Sequence, residues 1–74
     1  GAGTNVYAIK AGPDMVGKAR RELASELEEK YECYLLAVMD EKSLKPRGAE
    51  YRIAEGDNIL VISGKEPPEA ASET

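Results

Sequence analysis

LKPRGAEYRIAEGDNILVISG, residues 44–64, is the stretch around which the rest of this chain must fold. Its closing run, Ile59-Leu60-Val61-Ile62, is aliphatic without interruption and mostly β-branched. A strand that is apolar on both faces sits mid-sheet or beneath a helix, so the other segments must supply its cover. Just ahead of it, Ala54-Glu55-Gly56-Asp57 has turn chemistry. Glycine at 56 suits a backbone with φ > 0, and the Asp57 side chain can bond the local backbone. Tyr51-Arg52-Ile53 alternates in polarity and is expected as a short strand joined to the apolar run by this tight turn. Pro46 cannot donate to a ladder, so the stretch before Tyr51 is expected as an irregular edge.

Outward from there, Cys33-Tyr34-Leu35-Leu36-Ala37-Val38-Met39 is a second unbroken apolar run. Its length and content favour a central strand. The polar residues Asp40, Glu41, Lys42 and Ser43 turn the chain after it. Before it, the spacing predicts a helix over 15–32, with Val16, Ala19, Leu23, Ala24, Leu27 and Tyr31 on one stripe. Arg21, Glu22, Ser25, Glu28 and Glu29 fall opposite, facing water, and Glu26 is spaced to pair with Lys30. Asp14, after Pro13, is placed to cap the first turn. Val6-Tyr7-Ala8-Ile9 reads as the opening strand. The expected fold is therefore α+β: a small β-α-β-β-β lobe whose mostly antiparallel sheet is covered by one helix. One helix covers one face, so the other surface is expected to dimerise.

The 74 residues form one domain. A chain of this size buries only roughly 60% of its unfolded surface, and its single cysteine, Cys33, allows no internal disulfide. Dimerisation is the remaining route to stability. There is no histidine, which excludes zinc sites built from Cys and His and removes the usual proton shuttle. No nucleophile elbow or phosphate-cradling glycine motif occurs, so catalysis is not expected. A net charge of −4 argues against nucleic-acid partners. No apolar stretch reaches the roughly 20 residues that span a bilayer, and a lone thiol fits a reducing cytoplasm. The ordered lobe is expected over 4–65, with 1–3 a flexible lead and 66–74, rich in Pro, Glu and Ala, a flexible tail.

In this order and at these spacings, the motifs resemble the C-terminal lobe of RCK domains, also called the TrkA-C domain. Val16-Gly17-Lys18 with Glu22-Leu23 resembles the V-G-K-x-L-x-E-L element of that family. Leu35-Leu36-Ala37-Val38 resembles its middle strand. Pro46, Ile53, Gly56-Asp57 and the run from Ile59 to Gly64 resemble its P…L-x-x-G-D-x-L-x-V-x-G ending. The resemblance implies a dimeric lobe that binds a small nucleotide or cation near the dimer interface and passes a conformational change to a membrane channel, symporter or antiporter. It implies a role in potassium or other monovalent-cation transport, in the cytoplasm or tethered at the inner membrane through a parent protein. A Rossmann-like nucleotide-binding lobe often precedes such a domain. The alternative is a passive docking module of a transport protein with no ligand of its own. Arg20 stands where the family pattern usually has leucine, and Asp40 where members often have arginine. The family's cyclic di-adenosine monophosphate site does not carry over to identifiable residues here.

The leading candidate site is the helix entry. Lys18, Arg20 and Arg21 place three cations where the helix dipole disfavours them, and free N–H groups with cations would make an anion site. The competing reading has these side chains in water, paired with Glu22 or nearby acids. Arg20 by itself is either an interface cation or a snorkelling side chain. Asp14, Asp40, Glu41, Glu55 and Asp57 are read as a solvated acidic surface rather than a calcium site, with Asp57 a turn residue. Cys33 is read as buried filler.

Overall fold

A computed structural model describes residues 5–40, 42–43, 46–64 and 70–72 of the chain. The lead, Thr4, Glu41, Leu44, Lys45 and residues 65–69 and 73–74 lie outside the described residues. The order is β1 (Asn5–Lys10), α1 (Arg20–Tyr31), β2 (Tyr34–Met39), β3 (Asn58–Ser63) and β4 (Ala70–Ser72). The strands form one antiparallel sheet in the order β2-β3-β1-β4, under a single helix. The chain is thus the small α+β lobe expected, with the apolar run of β3 inside the sheet; the run at 33–39, expected as a central strand, is instead the edge strand β2, because β3 is the only described strand that pairs with it.

Strand alternation sorts the side chains. From β3, Ile59 and Val61 turn inward and are fully buried; Leu60 and Ile62, on the other face, are half-buried. Register carries both sets across the sheet, since Ile9 and Val38 both pair with Ile59. Leu23 and Leu27 of α1 close over this inner layer, joined by Met15, Cys33 and Ile53. Cys33 is buried as expected, its thiol 3.5 Å from the Tyr31 carbonyl.

Several expectations about local structure change. The helix begins at Arg20, five residues later than 15. Gly17 has φ = +92°, which no helix accommodates, and its N–H donates to the Ile53 carbonyl at 2.8 Å. Ile53 donates back to Lys18, and Ala19 bridges Arg52. The 17–19 segment is therefore held against 51–53 rather than wound into the helix. Asp14 does not cap α1, and Val16 lies exposed in the turn before it. By the same pairing, Tyr51-Arg52-Ile53 is not a strand of the sheet. The Gly56-Asp57 turn links that bridge to β3 instead of closing a hairpin. Of the segment read as a tail, Ala70–Ser72 pairs with β1 as β4.

Glycine at 17 is required by its backbone angle and not by space, because a Cβ there would meet nothing within 4 Å. At the other end of α1 the positive angle falls on a non-glycine, Glu32, with φ = 56°. This left-handed residue lets the Cys33 N–H reach the Leu27 carbonyl at 3.1 Å. Gly17→Ala should therefore cost about 1–2 kcal/mol, while Glu32→Gly should gain about 0.5–1 kcal/mol. Urea denaturation of both variants checks this; equal effects of the same sign would contradict it.

Candidate functional site

At the helix entry, where an anion site is expected, the backbone donors are all engaged. Every amide N–H from Gly17 to Leu23 has an acceptor. Gly17 donates to Ile53, Lys18 to Met15, Arg20 to Tyr51 and Arg21 to Ala49, and Glu22 and Leu23 both donate to the Ala19 carbonyl. The Ala19 N–H goes to the Glu22 carboxylate at 2.9 Å. The orphan donors that make a helix start attractive to anions are thus consumed, largely by carbonyls of the 49–53 segment.

The three cations also diverge. Lys18 Nζ donates to both Glu26 carboxylate oxygens at 2.6 and 2.7 Å. That bond raises the Lys18 pKa and holds the Glu26 carboxyl below the usual range. Arg21 Nε donates to Glu50 at 2.7 Å in an exposed pair. Arg20 runs the opposite way, to the Leu36 carbonyl on β2 at 3.2 Å, leaving its buried Nε unpartnered. Lys18, Arg20 and Arg21 are therefore not brought together around one point. The fourth cation near this entry, Arg52, was not singled out in sequence; it donates to the Gly17 carbonyl at 3.1 Å.

A second polar constellation lies beyond β2. Asp40 accepts from the Lys42 N–H at 3.0 Å, from the Ser43 N–H and from Arg47 Nη2. Arg47 in turn sits 5.5 Å from the centre of the Tyr51 ring, and its own N–H bonds the Val38 carbonyl. The Tyr51 hydroxyl donates to Asp57 Oδ2 at 2.8 Å, and the Ala54 N–H donates to the same oxygen at 2.8 Å. Burial, then the Asp57 carboxylate, push the Tyr51 hydroxyl up. Asp57 is 1% exposed, and its carbonyl accepts from the Ala11 N–H. This chain of contacts braces an irregular loop against the sheet. No group of three or more acidic or cysteine side chains suited to a metal occurs among the described residues. The meeting of Arg47 and Tyr51 has no signal in their spacing, because the segment between them is neither helix nor strand.

The third feature is the outer sheet face. Its rows read Val6–Ile62–Tyr34, then Ala8–Leu60–Ala37, then Lys10–Asn58–Met39. Val6 is 55% and Tyr34 59% exposed, and the bulge between Leu35 and Ala37 leaves Leu36 47% exposed. No described element covers these side chains. Together these side chains make a contiguous apolar patch on that face.

Comparison with family models, with curated proteins and with solved structures returns no match. Among the described residues, no helix is long and apolar enough to cross a membrane.

Asp40 supplies a pH test. Partial burial pushes its carboxyl up, but Arg47 and the Ser43 and Lys42 N–H groups outweigh this and hold it below the usual range. Its folded pKa is thus below its unfolded value of about 3.9. The stability it contributes is present above that value and is lost as pH falls through the folded pKa. Asp40→Asn should therefore destabilise the chain at neutral pH, with the gap to wild type closing below about pH 4. Chemical denaturation at neutral and acidic pH reads this; a gap independent of pH would contradict it.

Proposed function

We propose that this chain is a non-catalytic regulatory lobe that works as a homodimer joined through its open sheet face. In this reading it senses a small ligand for a potassium or other monovalent-cation channel or transporter. The observation that carries the proposal is the uncovered apolar face, centred on Leu60 and Ile62 and extended by Val6 and Tyr34. A second copy laid on that face buries it symmetrically, each patch serving as the other's cover. The motif resemblance to RCK C-terminal lobes supports the transport setting, with the lobe in the cytoplasm, on its own or tethered at the inner membrane through a parent protein that supplies any nucleotide-binding lobe. Ligand binding would then favour one relative pose of the two copies, and a linked membrane protein would follow.

A docking module without a ligand is the second reading. It is favoured by the occupied amide donors at residues 17–23 and by the pairing of Lys18 and Arg21 with carboxylates. A charge placed on the open face separates pairing from mere exposure. Ile62→Glu should raise the dimer dissociation constant at least about tenfold, a change of about 1.4 kcal/mol, while circular dichroism stays native. Sedimentation equilibrium measures this. A wild-type chain that stays monomeric, or a variant that dimerises equally well, would refute it. Stabilisation by a nucleotide or a cation in a thermal-shift panel would favour the sensor over the docking module.

A further inference from the structure

The edge strand β4 stands in a demanding place for a strand that follows β3. Both β3 and β4 run antiparallel to β1, on opposite sides of it, so they run parallel to each other. β3 ends at Ser63, opposite Asn5, whereas β4 begins at Ala70, opposite Ile9. Within one chain, the link of residues 64–69 has to return along β1 and also cross it. The return from Asn5 to Ile9 is about 13 Å and the crossing of two strand spacings about 10 Å, or about 16 Å on a straight line through β1 itself. Extended chain from Ser63 to Ala70 reaches at most about 25 Å, and clearing the side chains of β1 consumes the difference. Connections between parallel strands ordinarily take about a dozen residues or more. This link has six. On the inner face the way is closed, because Ile9 is fully buried and Tyr7 packs against the core. The outer route runs over Val6 and Ala8, across the apolar face. Pairing of β4 is correspondingly poor, joining Ala8 to Ser72 and Ile9 to Ala70 with a register shift between them.

From this topology we infer that the outer edge of β1 is a docking site for the C-terminal strand of a second copy of this chain. Each copy gives its Ala70–Ser72 segment to the β1 edge of the other, a reciprocal exchange about a two-fold axis. A short connection under strain is the condition that favours exchange over folding back. In the exchanged form the backbone pairing of β1 with β4 is kept, and the span that residues 64–69 must cover within one chain no longer limits it. The link reads Gly-Lys-Glu-Pro-Pro-Glu, and its two prolines fix φ and favour an extended path over a return. An extended strand added to a free sheet edge is held by main-chain hydrogen bonds, so the small side chains of Ala70, Ala71 and Ser72 suffice.

This inference concerns the edge of the sheet and not its face, and either can hold without the other. The test is a cysteine pair, Ala8→Cys with Ser72→Cys, at directly opposed positions whose spacing suits a disulfide. Cys33 is buried and does not compete in the folded protein. After oxidation, and alkylation of the remaining thiols, a non-reducing denaturing gel reads whether the link joins two chains or closes one. Linked dimer should exceed linked monomer at least about tenfold. The same preference is expected in the Ile62→Glu background, which disturbs the face and spares the edge. Inserting about eight Gly and Ser residues after Glu66 gives the link the length of an ordinary crossover, and the disulfide should then move into single chains. Closure within single chains at the native length in either background, no disulfide at all, or a dimer preference that the longer link leaves unchanged would overturn the inference.

Discussion

One helix and a sheet with two apolar faces cannot satisfy each other, and this mismatch governs the molecule. β3 sends Ile59 and Val61 into the layer beneath α1 and Leu60 and Ile62 out on the other side. Both neighbours of β3 repeat the division, because register locks their inward and outward residues to its own. The inner layer is complete, with its largest side chains fully buried. The outer layer has partners within the sheet but nothing above it among the described residues. The proposed function is built on that asymmetry: a lobe whose fold is finished on one side and whose other side asks for a second surface.

The inner side depends on how the irregular segment between β2 and β3 is held. The 51–53 stretch lies against 17–19, and this pairing sets where the helix starts and uses its free N–H groups. At the far end, the buried Asp57 carboxylate ties Tyr51 and Ala54 to the start of β3, while Asp40 and Arg47 tie the loop to the end of β2. A buried carboxylate is stable only when its oxygens are bonded, and here one oxygen takes two donors. Chemistry at the helix entry is thereby spent on structure.

The sequence disclosed the parts whose signal is periodic or chemically specific. The apolar run at 59–62 became the inner strand β3, whereas the longer apolar run at 33–39 lies at the sheet edge as β2, and Gly56 does adopt positive φ, at 89°. Leu23 and Leu27 kept the inward stripe expected of them. The errors share one cause: long-range pairing that leaves no local trace. Val16 fits the helical stripe in spacing, yet Gly17 and its bond to Ile53 end the helix pattern before it reaches position 16. Tyr51-Arg52-Ile53 alternates as a strand does, but its partner is the helix entry and not β3. Lys18, Arg20 and Arg21 are neighbours in the chain, and the bend at 17–19 sends them to Glu26, Leu36 and Glu50. Arg47 and Tyr51 meet only because a loop folds back, so no spacing rule points to them.

The central claim is that two copies meet across the outer sheet face, and contacts between chains test it directly. An isotope-filtered NOE experiment on a mixed sample, one population ¹³C-labelled and the other unlabelled, reports only intermolecular proximity. Contacts from the methyl groups of Val6, Leu60 and Ile62 to the Tyr34 ring of the other copy are the predicted result. A chain that stays monomeric, or a dimer whose intermolecular contacts come instead from the exposed Val16 and Tyr31 on the helix side with none from the sheet, would contradict it.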